Sequence, residues 1–374
     1  MDFQLSFLLF VQLTIEALCK KMGTRKNNSI QLLRILAIFG VICIHTGPYE
    51  NQKIFSEDWH TFGQIFLTIA HCAVPFFFIA AGYFFTQKTE NKKELIAYWA
   101  RYTKRILFLY AAWTIIYIFL HGNWLETLTA NNGIKTYYWN TVAYAKRLIE
   151  DPLTFILRGS SEPLWFLFSL TYSITLLVAC RKFVKNSKVL IYFMFFLAAS
   201  SYLAGMFLGA YGDTRFGPTT PLSIEKLGPL VAPLFVISGY AIKLHEDNLK
   251  KYWASLLVVG LVLIFCESSF SSFLKEVDYK ATSYTLGTFL FSTGLFLLCV
   301  SHPTFTSSQI VNVLGAFTLG IYLTHILILQ NTQTLRYISH NPLWEFIFPT
   351  LIMGASIALT FIFKNVKLLR KLVS

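Results

Sequence analysis

The feature that most constrains this chain is a series of about ten apolar runs, each long enough to approach the thickness of a bilayer. They fall near residues 30–46, 63–86, 106–121, 164–180, 189–210, 227–243, 252–266, 283–301, 311–330 and 344–363. The hydrocarbon core takes about 20 residues of helix, and about 17 is near the lower limit. The shorter runs must therefore borrow length from flanking polar residues. Of the 374 residues only 14% are charged and 55% are hydrophobic, with a mean hydropathy of +0.54. A soluble domain carries about 25% charged residues. That balance excludes an ordinary soluble enzyme, a disordered chain and a disulfide-rich secreted scaffold. The runs lack the apolar–polar alternation of barrel strands. The expected fold is all-α, a polytopic transmembrane helical bundle of about ten helices.

The net charge of +13 and pI of about 9.4 invite a nucleic-acid reading, but the cations sit in short connections between apolar runs. With the N-terminus inside, 21 Lys and Arg fall in inside segments and 10 in outside loops. Such a bias places both termini on the cytoplasmic side. No nucleic-acid partner is expected; membrane lipid is. The six cysteines form no CxxC pair and read as small buried hydrophobes, so no metal site is expected. Residues 1–27 form an N-terminal cytoplasmic or interfacial segment, apolar but interrupted by Asp2 and Glu16, with Met22 as an alternative start. Residues 28–364 form the transmembrane domain and 365–374 a basic cytoplasmic tail. The longest outside loop, near 122–163, is rich in Trp, Tyr and Asn, including Trp124, Tyr137, Tyr138 and Trp139. Its aromatic residues suit either an interfacial belt or stacking on a sugar. VPFFFIAAGY at 74–83 faintly echoes APLFVISGY at 232–240 without the same spacing, which falls short of a repeat.

Ionisable groups within spans are costly and mark candidate sites. Here they are Arg34 and His45 in the first run, His71 in the second and His325 in the ninth. Arg34 and His45 share one helix face about 16 Å apart along the axis. A guanidinium suits phosphate and an imidazole suits proton abstraction. Snorkelling at one interface and an interfacial histidine at the other would explain the same pair. Arg101, Lys104 and Arg105 precede the third run. They would serve either as a phosphate clamp or as plain positive-inside anchoring. Tyr322 and His325 are three apart on one face and suit either hydrogen bonding to a reacting group or helix packing. Walker A, GxGxxG, HExxH and GxSxG motifs are absent.

LLRILAIFGVICIH at 32–45 resembles the opening signature of the membrane-bound acyltransferase-3 family, an Arg and a His with ten residues between them in the first helix. VPFFFIAAGYFF at 74–85 is similar to the family's second-helix motif, with Ala81 where Ser is common. LWFL at 164–167 and LGAFTLGIYLTHILI at 314–328 resemble its middle and late motifs, in the same order. The resemblance covers about residues 28–363. It implies transfer of an acyl group, by family default acetyl, from cytoplasmic acyl-CoA (acetyl-CoA). The acceptor would be a hydroxyl of a cell-surface polysaccharide or lipid-linked glycan, in a bacterial inner membrane. It implies His45 as catalytic base and Arg34 in donor binding. The family's basic motif has two Arg three residues apart. Here Arg101 and Arg105 are four apart and Lys104 takes the third position, so any of the three could bind the donor's phosphates. Where the family often has an acid before the first motif, this chain has Gln31. Trp165, Tyr322 and His325 are candidate oxyanion donors. With the chain stopping soon after the tenth run, the expectation is a stand-alone member, similar to those acting on enterobacterial-type or poly-N-acetylglucosamine glycans. A polysaccharide exporter without acyl-transfer chemistry is the main alternative, although its halves should match better than these do. A membrane sensor is a third.

Overall fold

A computed structural model describes residues 27–50, 57–90, 94–183, 187–214, 223–306, 308–339 and 341–373. Every regular element among them is helical. The principal helices are α1 Asn28–Thr46, α2 Glu57–Ala70, α3 Ala73–Lys88, α4 Leu95–Phe119, α5 Trp124–Thr129, α6 Gly133–Glu150, α7 Pro152–Arg158 and α8 Trp165–Phe183. They continue with α9 Ser187–Leu208, α10 Ile224–Leu244, α11 Trp253–Leu274, α12 Leu286–Ser301, α13 Gln309–Gly315, α14 Thr318–Thr332 and α15 Trp344–Asn365. Among the described residues, eight helical stretches are long and apolar enough to span a membrane, and the bent pair α13–α14 makes up to nine. α12, at 16 residues, is the shorter apolar helix that fills the remaining position. Each of the ten apolar runs is thus helical. The N-terminal segment with Met22 lies outside the described residues.

Helix ends follow local chemistry. The Asn27 side chain caps α1 by accepting from the Ile30 N–H at 3.0 Å. Gly47 closes it with φ +56, donating its N–H to Cys43 O at 2.9 Å. That left-handed position suits glycine. His45 is therefore held in the last turn of α1. The second run is interrupted at His71–Cys72 between α2 and α3. Pro75 follows four residues after His71, where a proline ring clashes with the i−4 carbonyl.

The ninth run, read as one span, is two helices bent by 60°. Thr318 Oγ donates to Gly315 O at 3.0 Å, and Lys364 Nζ donates to Ala316 O at 2.8 Å. These bonds satisfy carbonyls that a bend would otherwise leave unpaired in an apolar setting.

The core centres on α3, α8 and α10. Phe78 and Phe166 lie 4.5 Å apart between ring centroids. A Cβ on Gly82 would stand 2.1 Å from Val236 O, and one on Gly239 would stand 2.0 Å from Ile79 O. The weak echo between 74–83 and 232–240 is thus a pair of segments packed on each other through reciprocal glycines. Small residues let membrane helices approach this closely, because apolar burial alone does not drive their association in lipid.

Three readings of the sequence are corrected, and the basic tail gains a seat. Residues 122–163 form no open loop: α5, α6 and α7 fold there as a helical cap at the His45 end. α4 begins at Leu95, so Arg101, Lys104 and Arg105 lie inside the helix rather than before it. The tail is docked, not free: Val373 is buried, and Trp113 Nε1 donates to Leu372 O at 2.8 Å. Cys43 and Cys299 are buried as expected, but Cys266 is exposed.

Candidate active site

The site has two ends. At the first, Arg34 is half-buried on α1. Its Nη1 donates to Gln31 Oε1 at 3.1 Å and its Nη2 donates to Thr318 Oγ at 2.7 Å. Thr318 opens α14 just past the bend, so the bend fixes where the guanidinium lies. A cavity of about 230 Å³ opens beside it, walled by Arg34, Tyr98, Tyr102, Arg105, Phe166 and Tyr322 among others. It combines two guanidinium groups with aromatic and aliphatic surface, a lining suited to an anionic head group with an apolar arm. Arg101 lies one turn before Arg105 and is exposed. Lys104, also exposed, is not on this wall.

At the second end, His45 borders a cavity of about 330 Å³ with Tyr144, Arg158, Ser161, Glu162 and Gln330. Glu162 Oε2 stands 3.9 Å from His45 Nδ1. That is beyond direct hydrogen-bond length but within ion-pair reach. The ring of His325 lies 5.3 Å from that of His45. His325 is fully buried, and its Nδ1 is 2.7 Å from Tyr322 O. A carbonyl can only accept, so Nδ1 carries the proton. Nε2 of the neutral ring is then a lone-pair acceptor. It is buried and has no partner among the described residues. His71 Nδ1 likewise faces the Leu67 carbonyl, at 2.7 Å.

The two ends meet at Tyr322. Its ring lines the Arg34 cavity and lies 5.8 Å from that of His325. Its hydroxyl donates to Pro163 O, the residue after Glu162. Tyr322 therefore lines the Arg34 cavity and holds the turn that carries Glu162, which lines the other. The sequence-derived set is brought together in large part. Arg34, Arg105 and Tyr322 share one cavity, and His325 joins His45 to it.

The three oxyanion-donor candidates are placed differently from one another. Trp165 packs against Phe78 and Tyr284, and a Cβ on Gly228 would stand 2.8 Å from its ring. It lines neither cavity. The Tyr322 hydroxyl is already committed to Pro163, and His325 Nε2 accepts rather than donates. Donor-bearing side chains on the wall of the His45 cavity include Arg158, Ser161, Gln330 and Gln333. Sequence reading missed Glu162. Its signal was a lone carboxylate set just before Pro163, which opens an apolar helix. Among the described residues no group of three His, Cys, Asp or Glu is arranged to hold a metal ion.

The family model of the acyltransferase-3 acyltransferase domain matches residues 27–364. The chain belongs to this family and carries the apolar helices of a multi-pass membrane protein. An amino-acid racemase from Enterococcus faecalis is 27% identical over 220 residues, 58% of this chain and 26% of that protein. The chain thus spans about a quarter of the length of that curated relative. No solved structure gives a significant match.

Proposed function

We propose that the protein transfers an acyl group, by default acetyl, from cytoplasmic acyl-CoA to a hydroxyl of a cell-surface polysaccharide or lipid-linked glycan. The setting is a bacterial inner membrane, with the Arg34 end facing the cytoplasm. The observation that carries the reading is the run of ring contacts from Tyr322, in the cavity of Arg34 and Arg105, through His325 to His45, in the cavity of Glu162.

In this mechanism the CoA phosphates bind at the Arg34 end, with Arg105 on the same wall and the exposed Arg101 and Lys104 on the same helix. The pantetheine arm carries the thioester along the roughly 16 Å between Arg34 and His45. The Glu162 carboxylate favours a proton on His45 Nδ1 and leaves Nε2 as base. Nε2 takes the acceptor's hydroxyl proton as that oxygen attacks the thioester carbonyl. The C–S bond then breaks, and the CoA thiolate leaves with the proton that the imidazolium returns.

Binding of CoA to the purified protein in lipid nanodiscs tests the donor half. Micromolar binding that Arg34→Ala weakens supports the reading. Absence of CoA binding, together with glycan flux across vesicles, would point to an exporter instead.

A further inference from the structure

Next to the His45 cavity lies a second one, of about 310 Å³, formed by the helical cap and His121 just before it. Its wall includes His121, Asn123, Trp124, Tyr137, Asn140 and Arg147. The two cavities share a partition one ring pair thick. His121, on the wall of the second, stacks on Tyr144, on the wall of the first, at 4.4 Å and 5°. The Tyr144 hydroxyl donates to Ser160 O, which keeps the partition in place. Arg147 lies over the same Tyr144 ring at 5.9 Å.

The lining is not that of a packing defect. Trp124 Nε1 is buried and has no hydrogen-bond partner among the described residues. An indole N–H is a donor only, and leaving it unpaired costs free energy. Asn140 and Arg147 are exposed and offer donors to this space, which the fully shielded Trp124 Nε1 does not face. Aromatic faces beside amide and guanidinium donors match a pyranose, whose C–H faces are apolar and whose rim is hydroxyl. The volume is at the small end of the range for small-molecule sites, about 300–1,000 Å³, which suits one ring.

We infer that this cavity is a second carbohydrate subsite, which binds the residue adjoining the one acylated at His45. The acceptor would then be an oligosaccharide or polymer, not a free monosaccharide. This inference rests on the acyl-transfer reading above for the identity of the first subsite.

The test uses the full chain in nanodiscs and a panel of defined oligosaccharides of one to four residues, with neutral hexose, N-acetylhexosamine and uronic-acid members. Binding is followed for the wild type, Trp124→Ala, Trp124→Phe and Arg147→Ala, with Tyr138→Ala as the control. Tyr138 lies on the same α6 but is exposed and off the cavity wall. At least one sugar type should bind tenfold or more tightly as a disaccharide than as its monosaccharide. Trp124→Ala and Arg147→Ala should remove that gain, while Trp124→Phe keeps part of it and Tyr138→Ala all of it. No chain-length gain with any panel member, or a gain that survives Trp124→Ala and Arg147→Ala, overturns the subsite. CoA binding measured on the same samples separates the two levels. If it is intact while the subsite fails, acyl transfer stands. If it is absent from the wild type, the functional reading itself falls.

Discussion

The imidazole of His45, in the last turn of α1, lies 5.3 Å from that of His325 on α14, with the ring planes tilted by 47°. Neither helix is free to slide. Gly47 and the Tyr49 N–H, which donates to Glu345 Oε2 at 2.9 Å, fix the end of α1. The Tyr117 hydroxyl fixes α14 by donating to Leu323 O at 2.9 Å. The pair is therefore held by the bundle rather than by any bond between the rings. Such support is what a base needs to stay aligned with its substrate.

His325→Asn should separate a chemical role from packing. The Asn amide can still donate to Tyr322 O but lacks the second ring nitrogen of the imidazole. Acyl transfer should fall on the order of tenfold, a fraction of the hundredfold to ten-thousandfold of a general base. CoA affinity and thermal midpoint should hardly move. If rate and stability fall together, His325 only packs.

Glu162→Gln keeps the shape of the turn and removes its charge. The turnover number should fall by roughly tenfold or more while the Michaelis constant for acyl-CoA stays put, because the carboxylate orients His45 and does not touch the donor. Glu162→Asp should recover part of the rate. Equal effects on the two constants would show that Glu162 acts on binding instead.

Arg34→Ala removes two hydrogen bonds to neighbours and a guanidinium from the donor cavity. Charge-assisted bonds are worth about 1.5–3 kcal/mol, so CoA should bind roughly tenfold to a hundredfold more weakly. Calorimetry on the purified protein checks this. Arg34→Lys should fall between the two, since an ammonium lacks the planar fork.

Gly239→Ala tests the fold independently of the site. Its Cβ would fall 2.0 Å from Ile79 O, so α3 and α10 must separate. Overpacking of this kind costs about 1–3 kcal/mol. The thermal midpoint in detergent should drop, and Gly354→Ala, where a Cβ meets open space, should leave it unchanged.

Arg336 and Glu345 clamp the His45 end. Arg336 Nη2 donates to Gly47 O and lies 3.5 Å from the nearly buried Glu345 Oε2. Arg336→Ala should destabilise the protein by about 1–3 kcal/mol, since it leaves the Glu345 carboxylate only the Tyr49 N–H. Glu345→Gln should cost less. Denaturation of the two variants side by side reads the difference.

How far the sequence disclosed this arrangement depended on the kind of signal. Spans are written in hydropathy, so the apolar runs and the intramembrane Arg34, His45 and His325 were visible at once. The bend at Ala316–Phe317 was not, because LGAFTLGIYLTH stays apolar across it, and the compensating Lys364 is some fifty residues distant. Glu162 was hidden by its place outside the apolar run it precedes. The docked tail was hidden because charge alone marks a segment as wet, whereas Leu372 and Val373 find Trp113 and a buried seat. The tautomer of His325 could not be read at all without knowing that a carbonyl faces Nδ1.

The most direct test of the account is transfer itself. Membrane vesicles carrying the protein are given labelled acetyl-CoA, and label entering total glycan and lipid-linked sugar is followed for the wild type and His45→Ala at matched, correctly inserted levels. The account predicts label in the wild type and a loss of a hundredfold or more in His45→Ala. Acetylation persisting at the wild-type rate in His45→Ala would contradict it.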